Sequence, residues 1–381
     1  RGYFEWPFHL TQGQWTMPVT NQLLFDASVT VFRYAPAFGY PPPDGITNLI
    51  PVTEQSTALR CGNMATPGCA EGDAASLQWA PSANYVYRGI EQWGYAEGAT
   101  NSYTGSASYV TGAHNMKVGY QYYWLRQLDE TIAAENQLAY RFNRGVPNRV
   151  TYRLPTWSRN SITQLHGMFI QDQYTRGRLT LSGALRWDRA SSYAPVEGNG
   201  VSQTSKFNAT PITIEKTPGV DAYNDLSPRV GLGYDVFGNG RTAVKLRWGR
   251  YLGFASNDPP FTSTNPAATL VASVNRDWDD NDGDFVVDCD LLNPAEQSPA
   301  TGAVDNCEEV TGNSRNFGNL GAATIVDPEL LEGWGVRTHD YQTEVTLQQE
   351  IFPRVSAEVG YIHRSFHGFF VTNDLSRRPR R

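Results

Sequence analysis

The chain has 381 residues, of which 40% are apolar and 18% are charged, so it is too apolar and too weakly charged to be disordered. Its 31 basic and 38 acidic residues leave a net charge of −7, which argues against nucleic-acid binding through bulk charge. No uncharged apolar run reaches about 18 residues, which excludes a helical membrane protein. The 12% aromatic content, together with 35 Gly and 23 Pro, favours strands and turns.

Six segments alternate between apolar and polar residues with the period of a β-strand. In residues 179–188, Leu181 and Leu185 fall on one face, and Ser182 and Arg186 fall on the other. The six segments, in chain order, are 116–124, 179–188, 229–236, 243–250, 341–348 and 355–364. The pattern therefore predicts an all-β protein.

The same alternation is expected of two architectures. In a soluble sandwich the apolar face packs on a second sheet, whereas in an outer-membrane barrel it meets lipid and the polar face lines a wet lumen. Strands of about ten residues suit a tilted membrane crossing better than a soluble domain. Tryptophan and tyrosine also recur near the predicted strand ends, where they suit a membrane interface. These residues are Trp124, Tyr174, Trp187, Tyr234, Trp248 and Tyr361.

Short and long connections alternate along the chain, as they do in outer-membrane barrels with tight periplasmic turns and long external loops. Short turns are predicted near residues 112–115, 174–177, 238–240 and 352–353. Long connections span residues 34–83, 190–225 and 254–338. This asymmetry predicts an antiparallel transmembrane β-barrel with its long loops outside the cell.

Five segments in order resemble Oar-like TonB-dependent outer-membrane receptors. They are SYVTGAHNMKVGYQ from Ser108, GMFIQDQYTRGRLTLSGALRWD from Gly167, LSPRVGLGYDVFGNGRTAVKLRWGRY from Leu226, RDWDDNDGDFVVDCDLLNP from Arg276 and GVRTHDYQTEVTLQQEIFPRVSAEVGYIHR from Gly335. The resemblance extends over most of the chain from about residue 12. It implies a barrel of about 22 strands with an internal plug, and transport energised through TonB by the proton gradient.

The alternation test yields roughly ten to thirteen strands, fewer than that family barrel requires. No plug, TonB-contacting segment or N-terminal β-sandwich is recognisable, and the final SRRPRR lacks a terminal aromatic residue. The chain also starts without an initiator Met or signal peptide, which indicates a mature or truncated product. We therefore expect residues 1–381 to be one partial barrel domain from the bacterial outer membrane, a fragment of the larger barrel.

The resemblance implies an outer-membrane receptor that takes up a substrate by TonB-dependent active transport, as part of a larger chain. Its partners would be outer-membrane lipid, the TonB complex through parts of the parent protein, and an extracellular substrate met first by the long loops. An aromatic group at Tyr34, Phe38 and Tyr40, followed by Pro41–Pro43, suits stacking on sugar or peptide, or packs the loop on itself. Two alternatives remain open: a structural or adhesive barrel without transport, and a secreted carbohydrate-binding β-sandwich.

An acidic run offers the sharpest candidate ligand site. Asp280, Asp282, Asp284 and Asp288 alternate around Gly283, so their oxygens can wrap a hard cation such as Ca²⁺. The spacing resembles the calcium repeats of thrombospondin-like modules and does not fit an EF-hand. The alternative is a solvated acidic loop. We expect no other cofactor.

The four cysteines form two local pairs in loops rich in Pro, Gly and Asp. Pairing of Cys61 with Cys69 and of Cys289 with Cys307 is expected for an exported chain, although four cysteines allow three connectivities and free thiols remain the alternative.

No catalytic constellation is recognisable, so no enzymatic activity is expected. His363 and His367 lie four residues apart and make a weak metal site without a third ligand, so a lumen or interface role is favoured. The polar-face arginines are expected to form cross-strand ladders with acidic residues, or alternatively to attract anions into the lumen. The arginines are Arg186, Arg229, Arg247 and Arg364, and the acids are Asp188, Asp235, Glu344 and Glu358.

Overall fold

The computed structural model describes residues 8–38, 48–55, 85–143, 145–199, 205–208, 210–322 and 325–372. Its strands are β1 (Phe8–Pro18), β2 (Leu23–Tyr34), β3 (Ala37–Phe38), β4 (Val52–Glu54), β5 (Tyr85–Tyr87), β6 (Gln92–Thr111), β7 (His114–Ala133), β8 (Leu138–Asn143), β9 (Val146–Arg153), β10 (Thr156–Arg176), β11 (Leu179–Ala194), β12 (Glu197–Asn199), β13 (Ile212–Ile214), β14 (Thr217–Pro218), β15 (Ala222–Asp235), β16 (Thr242–Leu252), β17 (Ser273–Asp279), β18 (Asn306–Cys307), β19 (Glu332–Trp334), β20 (His339–Phe352) and β21 (Val355–His367). Short 3₁₀ helices span Pro266–Thr269, Pro299–Thr301, Gly312–Asn316 and Pro328–Leu330.

Ten long strands form one antiparallel meander in the order β1-β2-β6-β7-β10-β11-β15-β16-β20-β21. The longest, β10, has 21 residues, far more than the five or six of a typical soluble strand. Each of these strands pairs with the next one along the chain, and the two are joined by a short turn or by a long connection. In the described residues the sheet is open, with β1 and β21 at its edges.

The predicted faces are confirmed by the strand register. Directly paired residues share a face, and Leu181, Leu232, Leu246, Val345 and Tyr361 follow one another as partners across five strands. All five side chains are exposed, and no second sheet covers them within the described chain. The β-sandwich alternative, which needed these residues buried between two sheets, is therefore wrong.

Not all of the predicted aromatic residues lie near the ends of their strands. Tyr174 and Tyr234 are close to the short turns, as predicted, but Trp124 and Trp187 lie in the middle of β7 and β11. The reason is length: the strands continue well past these tryptophans toward the long connections. The alternation pattern underestimated the strand lengths, because apolar and polar residues no longer alternate regularly where loops cover the strands.

All short turns lie at one end of the sheet and all long connections at the other. We name the long connections L1 (35–91), L2 (134–155), L3 (195–221) and L4 (253–338). L1, L3 and L4 correspond to the predicted connections 34–83, 190–225 and 254–338, with bounds shifted because the strands are longer. L2, which contains β8 and β9, was not among the predicted connections.

The long connections build a second sheet of their own, which we call the loop cap. Its strand order is β18-β17-β9-β8-β4-β5, with strands contributed by L1, L2 and L4. Trp278 and Tyr140 form the centre of its core, with ring centroids 4.7 Å apart and almost no solvent exposure. Phe207 of L3 packs against this core beside Tyr152. All four connections therefore meet in one structured unit.

One buried arginine holds the irregular part of L4 to the loop cap. Arg276 is 2% exposed and donates to the carbonyl oxygens of Glu308, Asn293 and Ala295, each at 2.9 Å. These bonds pair backbone groups that have no strand partner, and burial lowers the pKa of the guanidinium.

The described residues contain no helix long and apolar enough to cross a membrane.

Replacing Arg276 with Met should loosen the loop cap by about 3 kcal/mol, because three carbonyl oxygens lose the hydrogen bond from this buried guanidinium. Hydrogen exchange of residues 274–310 measures the loss. Arg315→Met is the matched control: Arg315 is half-exposed, pairs with Glu309 at the surface and donates to a single carbonyl oxygen, that of Val310, so its loss should cost only about 1 kcal/mol. Equal exchange rates in the two variants would contradict the assigned role.

Candidate functional site

The first part of L4 lies on the polar face of the long sheet, before the connection enters the loop cap. Thr163 and Ser192 are cross-strand partners on that face. Thr163 donates its hydroxyl to Asn257 Oδ1 at 2.7 Å, and Ser192 donates to the carbonyl oxygen of Phe261 at 2.7 Å. The polar face is thus covered by L4 where the long connections begin.

A second hydrophobic core seals this contact. Its buried residues come from β10, β11, β15 and the two connections that meet there: Leu165, Ala190, Val220, Tyr223, Ala255 and Phe261. L4 therefore belongs to both the loop cap and the wall of the sheet.

Buried charges lie beside this second core. Asp188 and Asp225 are cross-strand partners with at most 3% exposure. Arg186 contacts Asp188 at 2.8 Å, and Arg250 contacts Asp225 at 2.9 Å. Arg337, at the end of L4, is also buried within electrostatic range of both carboxylates. Since buried charges are costly unless compensated, the attraction of Arg337 to these carboxylates favours one position of L4 against the wall.

The predicted cross-strand ladder is confirmed for one of the four arginines, since Arg247 lies 3.5 Å from Glu344 across β16 and β20. Arg186 does pair with Asp188, but the two residues lie on the same strand, so this contact is not a cross-strand ladder. These contacts support the structural interpretation of the polar-face charges.

The other two ladders are wrong in their partners. Arg229 lies over the Tyr251 ring at 4.4 Å, and Asp235 accepts from turn amides between β15 and β16, because the strand ends there. Arg364 instead pairs with Asp340 at 2.6 Å, and Lys245 takes the expected place beside Glu358.

The acidic run lies at the outer side of the loop cap. The four predicted calcium ligands divide between two groups that share one residue. Within each group, the carboxylate oxygens lie within 4.8 Å of one another. Asp282, Asp284 and Asp288 form one group, and Asp280 and Asp282 join a third residue in the other. Desolvation and the charges of Asp284 and Asp280 raise the pKa of Asp282. A cation shared through Asp282 would relieve this repulsion.

The third residue of the second group is Asp305, which the sequence pattern missed. It is fully buried and accepts from the indole N–H of Trp278 at 2.8 Å and from the amides of Asn281 and Asp288 at 3.0 Å. Its position two residues before Cys307 was the available signal, because a cross-link there draws it toward the acidic run.

The predicted pairing of Cys289 with Cys307 is confirmed: the two form a disulfide with Cα atoms 6.4 Å apart. It closes the part of L4 that carries the acidic run. Cys61 and Cys69 lie outside the described residues.

His363 and His367 lie on β21, on the apolar face together with Tyr361. The His367 ring stacks on His339 of β20, with centroids 5.6 Å apart. In the described part of the chain, neither histidine joins a metal-ligating group of three. This position fits the interface role rather than the lumen role.

L3 is fastened to the end of β10 by a buried carboxyl group. Glu197 is 8% exposed, and its Oε2 accepts from the Asn160 amide at 3.1 Å. Its Oε1 is buried with no hydrogen-bond partner among the described residues. Burial raises the pKa of Glu197 to about 7, which the Asn160 amide and the charge of Arg159 only partly offset.

Of the predicted aromatic group, Tyr34 contributes to a cluster on the polar face. Its ring lies 5.6 Å from Phe32 and 6.3 Å from Phe8. Phe38 belongs to the short strand β3. Tyr40 and Pro41–Pro43 lie outside the described residues.

A family model described as "Outer membrane beta barrel domain" matches residues 2–377. The chain belongs to this family. It therefore resides in the outer membrane of a Gram-negative bacterium, with the apolar face of the long sheet toward lipid and the long connections outside. The loop cap is the extracellular part of the domain, and the polar face of the sheet is the lumen side of the wall. No curated protein matches the sequence.

Several solved structures are similar to this chain at low identity. The outer membrane transporter YddB from Escherichia coli is 13% identical with a TM-score of 0.45, covering 94% of this chain and 34% of that one. The ferric citrate transporter FecA is 11% identical (TM-score 0.37; 94% and 42% covered), and the ferric-catecholate import receptor Fiu from E. coli K12 is 9% identical (0.29; 93% and 56%). The chain thus spans between about a third and somewhat over half of these proteins.

Calcium binding by the acidic run remains a prediction. Titrating the protein with calcium in a calorimeter should give a dissociation constant of about 10⁻⁴–10⁻³ M, typical of extracellular sites. Asp282→Asn should abolish the heat, because both carboxylate groups share Asp282. Glu296→Gln, an exposed acid of the same connection, should leave it unchanged. No heat at millimolar calcium would refute the site.

Glu197 should make the attachment of L3 depend on pH. A carboxyl whose pKa rises from 4.5 to about 7 on folding stabilises fully below 4.5, and this stabilisation is lost as pH rises through 7. Hydrogen exchange of residues 156–161, corrected for intrinsic rates, should be faster at about pH 8 than at about pH 5. Glu197→Gln should remove the difference, whereas the exposed Glu215→Gln should retain it. A pH response that survives in Glu197→Gln would assign it elsewhere.

Proposed function

We propose that this domain is part of an outer-membrane receptor that takes up an extracellular substrate by TonB-dependent active transport. The five segments that resemble Oar-like receptors support this function, as does the arrangement of the external connections. The domain makes first contact with the substrate, and we infer no catalytic role for it.

The observation that carries the proposal is the path of L4. It contributes Trp278 to the core of the loop cap and Phe261 to the core against the lumen side of the wall. A receptor needs an ordered external surface that continues into the lumen, since a captured substrate must pass from one to the other. A barrel with a purely structural role has no such need.

We further propose that residues 1–381 form one part of a larger barrel. The edges β1 and β21 each pair with only one strand in the described chain. An edge in lipid leaves backbone N–H and C=O groups without partners, so further strands must cover both edges. In a receptor of about 22 strands, the plug inside that barrel would carry the contact with TonB.

An adhesive barrel is the second candidate, and the surface of the loop cap favours it. Val146, Phe285, Val286 and Leu292 are all between 47% and 64% exposed. Exposed apolar groups of this kind suit attachment to another macromolecule. The two functions differ in whether the membrane energy supply is required.

Genetic epistasis separates the two candidates. Disruption of the coding sequence in the source bacterium should abolish uptake of one nutrient from a panel of metals, sugars and peptides. Disruption of TonB should abolish uptake of the same nutrient, and the double disruption should be no worse, because both act in one path. Uptake that persists without TonB, or loss of surface attachment with all uptake intact, would reject the transport function.

A further inference from the structure

A row of residues near the outer end of the first membrane strands lies on the lipid-facing side of the wall. His9 is the cross-strand partner of Arg33. Ala99 lies between Arg33 and Arg126, as the direct partner of each. Because Ala99 is small, the longer side chains leave a depression of about 220 Å³ between them, with Glu97 also on its border.

The depth of this row in the membrane follows from the aromatic residues below it. Trp124 precedes Arg126 by two residues on the same face, so it lies about 7 Å closer to the membrane centre along the strand. One step further in, the Tyr103 and Tyr122 rings stack 6.2 Å apart. Such rings mark the interface between hydrocarbon and headgroups. The row of basic residues therefore lies at the level of the outer-leaflet headgroups.

The two arginines are held in place without being neutralised. Arg33 donates to Asn101 Oδ1 at 2.8 Å, and Arg126 donates through Nε to Asn160 Oδ1 at 3.3 Å. Neither forms a salt bridge with a carboxylate of the described chain, in contrast to most charged residues on the lumen side. Glu97 offsets one charge at the border, so the depression keeps a positive balance with a planar donor on each side.

We propose that this depression binds the phosphate group of a phosphorylated glycolipid in the outer leaflet. A guanidinium matches phosphate oxygens with two parallel N–H donors, and the small floor at Ala99 lets the phosphate enter between Arg33 and Arg126. The acyl chains of the same lipid lie along the exposed apolar face below. The site is independent of transport, because it faces away from the lumen.

Native mass spectrometry of the intact protein, extracted from the outer membrane in detergent, tests the site with diphosphoryl lipid A as the probe. The Arg33→Gln/Arg126→Gln double variant should bind it about thirtyfold more weakly, as expected for two lost surface charges. Lys245→Gln/Arg247→Gln removes the same charge from the lumen side and should bind like the parent protein. Ala99→Leu keeps both arginines but fills the floor, and should also weaken binding.

Three further arms decide the source and specificity of the phosphate. Dephosphorylated lipid A and phosphatidylethanolamine should bind at least about tenfold more weakly than diphosphoryl lipid A. Inorganic phosphate at millimolar concentration should not displace the lipid. Equal binding of the dephosphorylated lipid, displacement by free phosphate, or the same loss in the lumen-side control would each overturn the proposal.

Discussion

A backbone N–H or C=O group in hydrocarbon has no water to pair with, and this constraint dictates the long sheet. Ten strands satisfy it through ladders between neighbours in chain order, which keeps every connection short on one side of the membrane. Period-two alternation follows from the same geometry, because each strand must present one face to lipid and one to the lumen. The unpaired edges at β1 and β21 are where the described chain leaves the constraint unmet.

The two faces handle charge differently. On the lumen side, charged residues such as Arg247 and Glu344 largely pair with one another, so the wall carries little free charge toward the interior. On the lipid side, the basic residues Arg33 and Arg126 are confined to the headgroup level and have no carboxylate partner among the described residues. Placing a charge deeper would cost its hydration energy, which explains why Leu, Val and Ile occupy that face below.

L4 connects the loop cap to the wall of the sheet, and different interactions stabilise these two parts. In the loop cap, a small aromatic core, a disulfide and the carbonyl contacts of Arg276 hold irregular backbone together. At the wall, apolar packing around Tyr223 combines with the buried pairs of Asp188 and Asp225. Since one connection belongs to both, its middle part in the loop cap and its outer parts at the wall are positioned by independent sets of contacts.

By itself, the sequence determined what depends on local spacing. The alternation in residues 229–236 and 243–250 places Val230 and Trp248 on the lipid face, and Cys289 lies close enough in sequence to Cys307 for a local disulfide. The tertiary structure decided what depends on distant segments meeting. Three features are of this kind: the loop cap, the position of Asp305 beside the acidic run, and the pairing of Arg364 with Asp340. In each of them the residues that meet are not related by any regular spacing along the chain. The pleat of a strand repeats every two residues, so it is visible in the order of apolar and polar residues. A contact between L1, L2 and L4, by contrast, exists only after the sheet has brought their ends together.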